Sequence, residues 1–395
     1  MAMTNTELAQ NGSINQMIED VGLLRRIWRG RLWYGTEWYI TVFGGLILVT
    51  VTIVTLLAPI LSPYDPNDFA GSQFIPPGGG PQVLLTRSGE SNRVTESYLN
   101  EQLVGVQRNK NGTNIAIELE LDYLRYQTQS EQIEALQNQE VDSILVDERD
   151  LDAIIADFPQ LEIAADGIGP SFTLGTDNLG RDILSRLIWG ARTVLGVAIL
   201  SALLSSVVGI SLGLISGFVS GPFDRVASLT MDSIYSFPGL LLAIAMAAML
   251  GPGLLNVAIA ISVIYIPTFF RVVRGQVLSI KEELHVEAAR SLGAKPFSIL
   301  FRYIFPLVIP SVVVVFSLNV ADAILTEAGL SFIGLGLPPD VPDWGYDLSK
   351  GHSFLVAGHW WMITFPGVLI TIVAMGFSLL GEGLSEILNP RLVKS

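Results

Sequence analysis

The chain has 395 residues; half are hydrophobic, only 15% are charged, and the mean hydropathy is +0.50. Cysteine is absent, which excludes a disulfide framework, a thiolate metal site and a cysteine nucleophile. His285, His352 and His359 lack the clustering of a metal site, and no Ser/His/Asp set or paired carboxylates point to catalysis, so no metal-ligating or catalytic residue is assigned. The net charge of −14 argues against a nucleic-acid partner.

In chain order, residues 1–37 are too polar and too long for a signal peptide and carry Arg25, Arg26, Arg29 and Arg31. Six apolar runs follow that match the roughly 20 residues a bilayer demands. They cover 38–57, 193–213, 227–250, 254–272, 305–325 and 361–380, and the first is expected to remain as an uncleaved anchor. Most loop Lys and Arg fall on one side of these spans, which places both termini in the cytoplasm and 58–174 outside. Arg181, Arg186 and Arg192 dissent. Between Ser62 and Gly190 there are 21 acidic against 8 basic residues, so the acidity of the chain belongs to this one extracytoplasmic segment.

After the Gly/Pro-rich stretch 76–81, that segment shows an α/β pattern. Residues 82–86, 114–121, 143–146 and 161–164 read as strands, and 130–139 and 148–157 as helices, the first opening on Ser130. Asn111-Gly112-Thr113 reads as a turn. The unit 131–147 resembles the helix-then-strand piece near the hinge of periplasmic solute-binding proteins. Either a domain that spaces or docks, or a ligand-binding lobe, fits these residues.

Within the spans, Gly209, Gly213, Gly217 and Gly221 recur every fourth residue, a spacing that lets two membrane helices approach closely. The seam lies within this chain or against a partner. Pro238, Pro267, Pro310 and Pro366 invite kinks. Asp322 and Glu327 are pathway candidates, because a carboxylate there is costly unless it faces a cavity or bundle interior. Asp232, near the start of its run, reads as interfacial.

The polar stretch after the fourth run carries Glu287-Ala288-Ala289, then Gly293, then an apolar run closed by Pro306. The alanines form helix without bulk, so another protein can approach closely. Gly293 permits a turn into a second short helix, and Pro306 suits the first turn of the next.

This pattern resembles the coupling loop of ABC importer permeases, in particular the dipeptide/oligopeptide/nickel branch. Further motifs stand in that family's order: Gly175-Thr176-Asp177, Asp224-Arg225, Phe237-Pro238, Arg271 with Arg274, Glu327 through Gly336, Trp344-Gly345 and Asn389-Pro390-Arg391. The resemblance implies an all-α polytopic protein with six transmembrane helices, a permease core over 175–388, a coupling loop over 275–305 and a cytoplasmic tail over 389–395. Much of 58–174 falls outside it and is expected to be a small α/β insertion between helices 1 and 2. It further implies an inner-membrane subunit of a prokaryote that forms half of a peptide pathway by alternating access, with nickel or another small solute as the alternative cargo. Its partners would be a second permease, two ATPase subunits touching Glu287, Ala288, Ala289 and Gly293, an extracytoplasmic binding protein and the lipid bilayer. No Gly-Lys pair exists in the chain, so no cofactor is assigned to it, and ATP and Mg would sit in the ATPase subunits. A membrane sensor using the acidic segment as receptor, and an ion-coupled secondary transporter, are the readings from other classes.

Overall fold

The computed structural model describes residues 23–89, 102–108 and 110–387. Residues 1–22 and the expected tail 389–395 lie outside the described residues. The chain is mostly helical, with a five-stranded sheet near its N-terminal end.

Helix α1 (Leu23–Leu56) is followed by a helical turn (Ala58–Leu61) and a loop that leads into the insert. Strand β1 (Gln82–Arg87), β2 (Leu103–Gln107), α2 (Asn111–Glu118), β3 (Asp122–Tyr126), α3 (Gln129–Gln137), β4 (Ser143–Asp147), α4 (Leu151–Asp157) and β5 (Leu161–Ile168) complete that domain. The sheet order is β3-β2-β4-β1-β5, with β2 parallel to β3 and β4, and β1 antiparallel to β4 and β5. Alternate residues of β1 feed two cores: Val83 and Leu85 meet Ile133, Leu136 and Ile144, while Leu84 meets Val104, Val106 and Ile115. The domain leaves and rejoins the rest of the chain at one point. Gly79 and Phe172 form an antiparallel bridge, with Phe172 N donating to Gly79 O at 2.9 Å.

Two expectations for this domain are corrected. Residues 114–121 are not a strand; 111–118 form α2, which begins at Asn111-Gly112-Thr113 rather than leaving them as a turn. Ile115, Ile117, Leu119 and Leu121 alternate like a strand, but the parallel pair β2–β3 needs a crossover, and a helix supplies it. Strands β2 and β3 were not foreseen. The helix expected over 130–139 starts earlier, because Thr128 caps it in a reciprocal box with Glu131.

The remaining helices are α5 (Ile183–Val219), α6 (Gly221–Tyr235), α7 (Gly239–Leu250), α8 (Leu254–Ile280), α9 (Leu284–Ser291), α10 (Phe305–Phe332, entered through a short α turn at Pro296–Ser298 and a π-helical turn at Ile299–Ile304), α11 (Trp344–Phe354) and α12 (Trp361–Ile387). Among the described residues five helical segments are long and apolar enough to cross a bilayer, or six if α6 and α7 together make one bent span. At 1.5 Å per residue α5 is roughly 55 Å long, which exceeds a hydrocarbon core of about 30 Å. The continuous helix expected over 227–250 is instead broken by 90°. Pro238 lacks an N–H and itself leaves the helical region, with ψ 118°, so α6 stops and α7 starts afresh.

The central packing is α5 against α8. A Cβ on Gly209 would fall 2.7 Å from Ile266 O, one on Gly213 2.8 Å from Phe270 O, and one on Gly217 3.0 Å from Arg274 O. These three glycines therefore let the two backbones touch, within this chain. Gly221 is not part of the seam: it lies beyond α5 with φ +78° and open space around it. Helix α1 is peripheral and packs on α12, where a Cβ on Gly44 would fall 2.8 Å from Gly376 O.

Candidate functional site

At the end of the bundle remote from the insert, Lys281 Nζ donates to Gly217 O at 3.1 Å and to Ser220 Oγ at 2.9 Å. This ties the last residue of α8's exit to the corner between α5 and α6. The chain then folds into α9. On its inner face Val286 is buried in a cluster with Leu214, Val277, Ile280 and Ile304, and Ala289 is buried beside it. Its outer face presents Glu287 and Ala288 to the surface. Gly293, with φ +80°, stops the helix, and Ala294 N returns to Ala289 O at 3.0 Å. Of the four coupling residues the sequence named, Glu287, Ala288 and Gly293 are exposed and Ala289 anchors the helix from beneath. Leu284 and Leu292 are 83% and 89% exposed beside them, and Phe297 follows at 74%.

Two ion pairs brace this end. Arg274 holds Asp224, its Nη2 donating to Oδ2 at 2.7 Å, while Ser216 donates to the same carboxylate. Arg271 reaches Asp232 at 3.2 Å, so Asp232 is an exposed partner of α8. The sequence marked Asp224 and Arg274 only as members of motifs. Their pairing across 50 residues had no local signal.

At the insert-bearing end, charged groups are buried in the bundle. Arg186, 1% exposed, makes a forked contact with Asp347 at 2.7 Å and donates to Pro66 O at 3.1 Å. Burial raises the Asp347 carboxyl above the ordinary aspartate range, and the Arg186 guanidinium acts against that rise. Arg181 pairs with Asp177 of the Gly175-Thr176-Asp177 motif at 2.7 Å. Asp182 caps α5 by accepting from Ser185 N, and burial also holds its carboxyl above the usual range. Thr176 Oγ1 donates to Ser72 O, Gly71 N to Gly180 O, and Trp361 Nε1 to Thr176 O. The motif is thus the fastening between the loop after α1, α5 and α12.

The two pathway candidates part company. Glu327 is fully buried; Ser331 Oγ lies 2.9 Å from its Oε1 and 2.7 Å from Asp343 Oδ2, and its Oε2 has no partner among the described residues. Asp343 in turn caps α11 through Gly345 N and Tyr346 N, and Trp344 Nε1 bonds Leu187 O. Glu327 therefore faces a packed carboxyl cluster rather than open space. Asp322, one turn earlier, is exposed.

Residues 209–394 match the family model described as "Binding-protein-dependent transport system inner membrane component". The glutathione transport system permease protein GsiD of Pectobacterium atrosepticum is 43% identical over 227 residues, which is 57% of this chain and 75% of that protein. Its counterpart in Escherichia coli O157:H7 is 40% identical over 227 residues, 57% of this chain and 74% of the relative. Among solved structures, an inward-facing MetNI methionine ABC transporter aligns with 52% of this chain and 96% of that chain, at 19% identity and a TM-score of 0.44.

Proposed function

We propose a role for this chain that proceeds from one fact: it belongs to the family of binding-protein-dependent transport system inner membrane components, and it is a permease subunit of an ABC importer of the peptide type. In our reading α1, α5, the bent α6–α7 pair, α8, α10 and α12 make six spans, with both termini in the cytoplasm of a prokaryote and the insert outside. The chain forms half of a translocation path, and a second permease lines the other half. Two ATPase subunits carry ATP and Mg, engage α9 and the residues up to Gly293, and drive alternating access; an extracytoplasmic binding protein delivers cargo. A short peptide is the cargo favoured, because the relatives named above are glutathione permeases.

The observation that carries this reading is α9 itself. A helix anchored by Val286 and Ala289 yet displaying Leu284, Glu287, Ala288 and Leu292 is held rigidly to the ends of α5, α8 and α10 while offering its other face. A push on that face reaches three spans through one cluster.

The test is an affinity purification from native membranes solubilised in detergent, comparing the intact chain with Glu287→Arg plus Gly293→Pro. Two ATPases and a second permease are expected with the intact chain, and loss of the ATPases from the variant. If the intact chain brings down no ATPase under conditions that preserve other membrane complexes, the reading fails and a sensor or ion-coupled carrier takes its place.

A further inference from the structure

A groove runs along α2 where the insert faces the loop that follows α1. Its larger part, about 500 Å³, is lined by Arg108, Lys110 and Arg125 together with Ser72, Thr113 and Asn114. A hollow of about 230 Å³ shares Gly71, Asn114 and Ile117 with it and adds Phe69, Pro170 and Glu118. The larger volume falls in the range of small-molecule sites.

The charges are unevenly placed. In a segment with 21 acidic and 8 basic residues, three of the bases converge on one hollow. Among the described residues none of the three is paired with a carboxylate. Arg125 is oriented by Tyr123, to whose hydroxyl it donates at 2.8 Å and over whose ring it lies at 5.2 Å. Other parts of the lining are fixed as well: Asn114 Nδ2 donates to Ser72 Oγ at 3.0 Å, and Thr113 Oγ1 to Gln107 O at 3.0 Å. Glu118 stands at the other end of α2. With 1.5 Å of rise per residue, Lys110 and Glu118 are separated by roughly 12 Å along the helix. An extended chain of three residues spans about 10 Å.

We propose that this groove binds a short peptide of about three residues with free termini. Its carboxylate lies toward Arg108, Lys110 and Arg125, its ammonium toward Glu118, and its side chains against Ile117 and Phe69. The choice of a peptide rests on the importer reading above; the paired charge pattern does not. The wall residues Gly71 and Ser72 are also those bonded to Gly180 and Thr176, so an occupant touches the fastening between insert and bundle.

The test is equilibrium binding of labelled trialanine to the purified full-length chain, against its C-terminal amide and its N-acetyl form. Trialanine is expected to bind. Amidation should weaken it at least tenfold, because charge-assisted hydrogen bonds are the strong ones. Arg108→Ala with Arg125→Ala should do the same with an unchanged melting temperature, and Glu118→Gln should abolish the preference for a free amine. Absence of binding, equal binding of acid and amide, or full binding by the double variant overturns the proposal. So does a double variant that loses a binding protein instead of a peptide, which would make the face a protein-docking surface. Co-purification of ATPases is read on the same preparations: peptide binding absent with ATPases present rejects the groove alone, whereas ATPases absent from the intact chain rejects the importer reading.

Discussion

At the insert-bearing end of the bundle, Arg186 is buried and forked onto Asp347, Asp343 caps α11, and two tryptophan N–H groups reach backbone carbonyls. At the opposite end, Leu284, Leu292 and Phe297 stand exposed around a helix held by only two buried side chains. The first end satisfies most of its buried polar groups from its own chain, Glu327 Oε2 excepted. The second spends its apolar residues on a surface that no described residue covers. An enclosed network of that kind rigidifies its end of the bundle, while an uncovered leucine face is chemistry for a partner. The same chain is therefore closed where its insert sits and open where α9 sits.

This contrast can be broken by substitution. The largest effect is expected at the closed end: Asp347→Ala strands Arg186 in the interior and should cost about 3–5 kcal/mol. The check is the melting temperature in detergent, with Arg186→Leu plus Asp347→Leu recovering much of the loss; an unchanged melt for the single variant would show the pair to be solvated. Next comes the seam that joins the ends. Gly213→Val drives a side chain into Phe270 O and should destabilise by about 1–3 kcal/mol. Gly45→Ala, with open space around it, is the control expected to stay within about 0.5 kcal/mol.

Trp344→Phe removes the indole donor to Leu187 O and leaves a small cavity where the larger ring lay, a loss of about 1–2 kcal/mol readable in the same melt. The smallest stability effect belongs to the open end. Leu284→Ser with Leu292→Ser should shift the melt by under about 0.5 kcal/mol while abolishing ATPase co-purification. A large melt shift there would mean the leucines are structural, and the two ends would no longer differ.

Much of the bundle was legible because long apolar runs have few alternatives to spanning helices. The break at Phe237-Pro238 was written in the proline, yet the apolar residues on either side read as one run. Strand β3 was hidden because it is an edge strand whose residues are mostly exposed, so no apolar alternation marks it. Helix α2 was misread because Ile115, Ile117, Leu119 and Leu121 fit period two, although Ile117 and Leu119 turn out to be exposed. Glycine spacing announced a close approach but could not name the partner helix. Arg186 and Asp347, 161 residues apart, carry no sequence mark of their pairing; only a folded chain brings them together.

The bridge between Gly79 and Phe172 has a consequence for how such a chain can change over time. The backbone leaves the bundle and returns to it across a single pair of hydrogen-bonded residues, and outside that pair Gly71 and Gly180 are already joined. Two residues in a tight turn can close a gap of that geometry. Everything between Gly79 and Phe172 can thus be gained, exchanged or excised by a lineage without moving a helix of the bundle, a graft whose stump is already sealed.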